Sequence, residues 1–191
     1  MAQDEEKLKE WLSENHPHAK LLLNEAVSIG GINFFGGTMW TNFNGADPQS
    51  MEIARSNMND FRLIRTNDDE LLKPADTVIL HQEFVEKLKN WFENPLEGPR
   101  VVISHHAPVI NPHTKYGNSN LSPAFNALDM LEIIEKYQPR LWVYGHTHEC
   151  DKQSIGETLI ISNQRGYPNP EGGYECKEFD EEGCQIVIAT N

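Results

Sequence analysis

The chain predicts an α/β fold, and three observations carry that prediction. Two short apolar segments, "RVVIS" at 100–104 and "LWVY" at 141–144, read as buried strands. A helical pattern at about 122–137 lies between them, which makes a strand–helix–strand unit. Such crossovers join parallel strands with right-handed chirality. Each strand also runs directly into histidines: His105-His106 after the first, His146 and His148 after the second.

The other elements follow in chain order. Residues 4–15 carry Leu8, Trp11 and Leu12 at helical spacing, and Pro17 ends the pattern. "LLLNEAVSIGGINFFGGTMW" reads as strand, Gly-Gly turn, strand, a hairpin whose second arm ends near Trp40. Residues 48–58 look helical, with Asp47 as N-cap and Pro48 at the first helical position. "KPADTVILHQEFVEKLKNWFEN" is a stronger helix with Val78, Phe84, Leu88, Trp91 and Phe92 as its core face. A polar Gly/Asn/Pro-rich loop covers about 110–121, and Ser122-Pro123 opens the crossover helix. "KQSIGETLIISNQRGYPNP" and "CQIVIAT" supply β-hairpin material.

The 191 residues suffice for one domain, residues 1–191, with a real core. No apolar run approaches the ~18 residues of a membrane span. The start "MAQDEEKLKEWL" lacks the basic flank and apolar core of a signal peptide, so a cytoplasmic location is the expectation. Cys150, Cys176 and Cys184 include no CxxC pair and read as reduced thiols. A formal net charge of −13 argues against binding nucleic acid through a basic patch, and against anionic membranes. A small phosphorylated substrate stays admissible, because bound cations invert the field locally.

Parallel strands put their C-terminal ends on one edge of the sheet, where open α/β sheets bind ligands. The two histidine clusters, some forty residues apart in sequence, are therefore expected to meet. Imidazole suits zinc, manganese, iron or nickel. Residues two apart in extended backbone point the same way, so His146 and His148 are expected to address one cluster, with Gly145 leaving room for close backbone approach.

"VVISHHAP", "LWVYGHTH" and "ISNQRGYP", in that order, resemble the C-terminal half of the calcineurin-like metallophosphoesterases. The likeness is to the small bacterial phosphoesterases with "TLWTDF"-like and "NPRGY"-like stretches, here "GGTMWTNF" and "SNQRGY". The resemblance implies an α/β/β/α sandwich and a two-metal site at the strand ends, where hydroxide attacks phosphorus. It places His105 and His146 on one divalent transition metal (Mn, Fe, Zn or Ni) and His148 on the other. His106 and Arg165 become the catalytic candidates, His106 as a neighbour of the ligand with a supporting or substrate role rather than ligation. Arg165, Asn163, Trp40 and Asn42 become substrate-binding candidates. Arg165 has an equal reading as a surface salt-bridge residue, and Trp40 reads more simply as core.

The resemblance is partial. The family's N-terminal Asp-x-His, Gly-Asp and Gly-Asn-His motifs do not occur: Gly117-Asn118 is followed by Ser119. The fold expected is a partial sandwich lacking its N-terminal strands. Three histidines without a bridging carboxylate are expected to hold two cations poorly, so phosphoester hydrolysis by this chain should be impaired. An uncovered sheet should drive homo-oligomerisation. Two other readings stand beside the enzyme: a non-catalytic oligomeric relic of the fold, and a single-metal binding protein using His105, His146 and His148.

Overall fold

The computed structural model describes residues 2–117 and 119–189, with side chains from Glu6 onward. Helix α1 (Ala2–Asn15) precedes a hairpin of β1 (Glu25–Ile29) and β2 (Ile32–Gly37). Its turn is Gly30-Gly31, at φ 59° and 81°. Two left-handed residues in succession match the right-handed twist of the strands, and glycine takes them without strain. A single turn, α2 (Phe43–Ala46), leads to α3 (Pro48–Asn57), α4 (Asp60–Leu63) and the long α5 (Pro74–Glu93). Asp47 caps α3 by accepting from the Ser50 N–H at 2.7 Å. The chain continues as β3 (Arg100–Ser104), α6 (Ser122–Phe125), α7 (Met130–Tyr137) and β4 (Leu141–Val143). It closes with the hairpin of β5 (Asp151–Ile155) and β6 (Thr158–Ser162).

The six strands form one sheet in the order β1-β2-β3-β4-β6-β5. The inner four run parallel and the two edge strands antiparallel. Cross-strand partners point to one face. Phe35, Val102, Trp142 and Ile160 therefore form a row, and all four are buried. Helices α5 and α7 cover that row with Phe84, Leu88, Trp91, Phe92, Met130, Ile133 and Ile134. The buried stripe of α5 also contains His81. Its ring contacts the Met39 carbonyl oxygen at 3.1 Å and Asp129 Oδ2 at 2.9 Å, joining the segment after β2 to the start of α7. A smaller apolar cluster of Phe43, Ala54, Met58, Phe61, Leu72 and Ala124 packs α2, α3, α4 and α6 together, with Trp40 and Val78 at its margin.

Two expectations need correction. The crossover helix is broken into α6 and α7. The Ala107 N–H donates to the Phe125 carbonyl and the Ala127 N–H to the Ala107 carbonyl (3.1 and 2.8 Å), so residues 125–127 pair with the backbone just after His106 instead of continuing a helix. Asn126 reinforces the stop by donating to the Ser122 carbonyl at 3.0 Å. "CQIVIAT" is not a strand over its described residues, and Val187 is almost wholly exposed. Thr190 and Asn118 lie outside the described residues. Among the described residues, no helix is long and apolar enough to cross a membrane.

Candidate functional site

The C-terminal ends of β3 and β4 lie side by side, so the segments beyond them are neighbours. The Gly145 N–H donates to the His105 carbonyl at 3.0 Å and ties the two histidine segments together. This backbone tie, not steric room, is what position 145 contributes. A Cβ there would meet His105 Nδ1 at 3.5 Å, an ordinary contact. The segment 146–148 is not extended: His146 and His148 both sit at positive φ, 69° and 52°. Left-handed backbone at non-glycine residues costs of order 1 kcal/mol or more and persists only where surrounding bonds over-determine it.

Gln164, just beyond β6, provides those bonds. Its Oε1 accepts from the His148 N–H at 2.7 Å, and its Nε2 donates to Thr147 Oγ1 at 2.8 Å, the Glu149 carbonyl at 3.0 Å and Ser162 Oγ at 2.6 Å. Gln164 is buried, whereas its neighbours Asn163 and Arg165 are exposed. The middle residue of "SNQRG" thus faces inward and the two predicted ones outward.

His146 and His148 diverge rather than address one point. His146 Nδ1 lies 3.1 Å from His105 Nε2. His148 Nδ1 lies 2.9 Å from Glu175 Oε2, with its ring edge-on to Tyr167 at 4.5 Å between centroids. His106 lies beneath, 1% exposed, with its ring centroid 4.2 Å from that of His146 and 4.9 Å from Trp40. Its Nδ1–H donates to the Thr38 carbonyl at 3.2 Å. His146 Nε2 is buried with no hydrogen-bond partner.

A cavity of about 580 Å³ opens above these rings, lined by His105, His146, Thr147, His148, Tyr116, Tyr167, Asp60 and Glu175 among others. Burial lowers the basicity of His105, with His148 adding to the effect and Asp60 opposing it. Burial, then His105 and His148, push His146 down to about 3. Burial and the neighbouring imidazoles hold His106 well below the usual histidine range. The rings are therefore neutral at pH 7 and present lone pairs, the form in which imidazole binds a cation. Burial raises Glu175, but the Tyr167 N–H and His148 outweigh it and leave its carboxyl below the usual range.

Several predicted residues lie elsewhere. Asn163 exchanges hydrogen bonds with the backbone of Asp180 at 2.9 and 3.0 Å. Arg165 stacks over the Tyr174 ring at 4.9 Å. Asn42 lines a different hollow against α5, with Val78, His81 and Asp129. Trp40 packs on His106 and the smaller apolar cluster and does not line the histidine cavity. His106 is buried, does not line the cavity, and packs its ring against His146 and Trp40. Sequence reasoning missed Asp60 and Glu175, the carboxylates of the lining, and Gln164, which orders the loop. Glu175 sits in an acidic stretch that gives no spacing signal, and Asp60 lies in a four-residue helix with none.

Residues 4–150 match the calcineurin-like phosphoesterases, and the chain belongs to that family. Members of this family hydrolyse phosphoesters and normally bind divalent metals. The chain is 29% identical over 175 residues to uncharacterized protein L509 of Acanthamoeba polyphaga mimivirus, covering 85% of this chain and 60% of that protein. Its fold resembles the crystal structure of phosphopantetheinyl hydrolase (PptH) from Mycobacterium tuberculosis. The TM-score is 0.56 at 17% identity, over 85% of this chain and 60% of that one. A likeness to the protein TT1561 of Thermus thermophilus has a TM-score of 0.47 at 11% identity, over 83% of this chain and 55% of that one. The chain thus spans about 60% of the length of the curated relative it matches.

Proposed function

We propose that this chain supplies the histidine side of a divalent-metal site for phosphoester hydrolysis. The observation carrying this is the 3.1 Å approach of His105 Nε2 to His146 Nδ1. Two nitrogens bound cis to one cation at ~2.1 Å lie about 3.0 Å apart, so the pair already has the spacing of two ligands. The fit extends to chemistry, since both rings have depressed basicity and the imidazole cluster suits Mn, Fe, Zn or Ni. His105 and His146 would hold one cation, and His148 would face a second. Bound between these residues, a divalent cation would supply Lewis-acid chemistry for phosphoester hydrolysis.

The chain's own residues do the rest. Glu175 accepts from His148 Nδ1–H, which fixes the tautomer and leaves Nε2 free to ligate. His106 supports the His146 ring from below, and Gln164 holds the strained loop. Tyr116, Tyr167 and Asp60 wall a cavity large enough for a small phosphorylated substrate. Arg165 reaches phosphate only if the segment after β6 moves.

A second reading is a single-cation site with little turnover, resting on His105 and His146 rather than on all three histidines. Among the described residues, no three of His, Cys, Asp and Glu converge closely enough to hold a metal. A chromogenic phosphodiester assay with added Mn²⁺ separates the two. Turnover that disappears in His146→Ala supports the hydrolase; no turnover with Mn²⁺, nor when Fe²⁺, Zn²⁺ or Ni²⁺ replaces it in the same assay, sinks it and leaves the binder. Self-association is part of the proposal, because the sheet face opposite α5 and α7 carries Phe34, Ile103, Val143 and Ile161 incompletely covered.

A further inference from the structure

The segment after β6 returns to the histidine loop with Glu175, and the next residue is Cys176. Cys176 Sγ lies 3.3 Å from the Sγ of Cys150, a residue two positions beyond His148. Both cysteines hang from the same stretch of chain. The Cys176 N–H donates to the Arg165 carbonyl at 3.3 Å. The Cys150 thiol approaches the Gln164 carbonyl oxygen and Asn163 Oδ1, each at 3.8 Å. Cys150 is also anchored from its other side, where its carbonyl accepts from Asn111 Nδ2 at 3.1 Å.

The two sides differ in rigidity. Cys150 leads directly into β5, whereas the described residues after β6 form no strand or helix beyond the single Pro168–Tyr174 bridge. Glu175 keeps its place on His148 through non-covalent contacts: the His148 contact, loop hydrogen bonds and an ion pair with Lys115 at 3.8 Å. Cys176 is the residue best placed to fasten it covalently.

We infer that Cys150 and Cys176 are a reversible disulfide site that clamps the Glu175 segment onto the His148 loop. A disulfide needs its sulfurs about 2.05 Å apart, so closure from 3.3 Å requires roughly 1.3 Å of approach. The oxidant is a small-molecule disulfide of the glutathione type. One cysteine thiolate attacks it, expelling a small thiolate and forming a mixed disulfide. The second cysteine attacks the protein-side sulfur and expels the other small thiolate. The two cysteine protons end on the two released thiols; the protein loses two electrons and the small disulfide gains two. Cys184, exposed and outside this pair, serves as an internal control.

The inference stands on thiol geometry and does not require the hydrolase reading, so its test has no activity readout. The full chain is equilibrated in glutathione buffers from reducing to oxidising, alkylated, and mapped by peptide mass without reduction. The expected result is an intramolecular Cys150–Cys176 peptide with Cys184 still alkylated. Proteolysis within residues 166–183 should slow roughly fivefold or more on oxidation. Cys176→Ser and Cys150→Ser should each abolish both effects. A cross-link through Cys184 or between chains overturns the assignment. So does a Cys150–Cys176 pair that stays reduced in buffer that glutathionylates Cys184. Cross-linking with an unchanged cleavage rate overturns the clamp.

Discussion

The proposed metal site turns on His146. This residue stands at positive φ, faces His105 at 3.1 Å, rests on His106, and keeps Nε2 buried without a partner. The unpartnered Nε2 costs stability, and it is the other nitrogen, the Nδ1 facing His105, that the proposed cation would take. The histidine cluster also sets a pH dependence. The folded-state pKa values of His105, His106 and His146 all lie below the ordinary 6.5. Above that value neither folded nor unfolded chain protonates these rings. As pH falls through it, the unfolded chain takes up protons that the folded chain refuses, so stability declines. Each such proton is worth about 1.4 kcal/mol per pH unit. His106, almost wholly buried, should contribute most of that slope, and His105 and His146, which reach the cavity, less. Chelator-treated protein should therefore lose denaturant resistance between about pH 7 and 5, and His106→Gln should flatten the loss. Stability unchanged across that interval would contradict the burial described for these rings.

At the scale of elements, the parts that the residue pattern announces are those with a strong period or a defined turn. The Gly30-Gly31 hairpin, the Asp47-capped α3 and the apolar stripe of α5 are local matters, legible in consecutive residues. So is the meeting of the two histidine segments, because parallel topology forces strand ends together. The break between α6 and α7 is not legible: it depends on Ala107, distant in sequence, pairing with residues 125–127. The resemblance points to Asn163 and Arg165, whereas the residue buried in "SNQRG" is Gln164, which no local pattern marks out. Glu175 and Asp60 are invisible in the sequence because nothing but tertiary packing brings them to the cavity. The sheet is held in place by α5, and Phe84 is its central contact, fully buried and edge-on to Phe35 at 5.4 Å between centroids. Phe84→Ala should destabilise by about 3–5 kcal/mol in denaturant titration. A cost below about 1 kcal/mol would mean that α5 does not pack as described.

For the whole molecule, the uneven cover of the sheet matters most. One face is sealed by α5 and α7, while Ile103 in a central parallel strand is 40% exposed on the other. Parallel sheets are ordinarily covered on both faces. The chain also aligns with about 60% of its relative, so the activity and partners of that longer protein are matters of proposal for this one. If the open face drives self-association, sedimentation at micromolar concentration should find dimers or larger species, and Ile103→Glu should shift them toward monomer. A compact monomer for the unaltered chain would count decisively against the association.

The central claim is that His105 and His146 form a cation's ligand pair, and metal binding tests it without reference to turnover. Apo-protein titrated with Co²⁺ should develop a visible ligand-field band with about one equivalent held most tightly. His146→Ala should weaken that binding by roughly tenfold to a hundredfold or more, while His113→Ala, altering a histidine outside the cavity lining, leaves it unchanged. Equal Co²⁺ affinity in the unaltered chain and His146→Ala, with both folded by circular dichroism, would contradict the account.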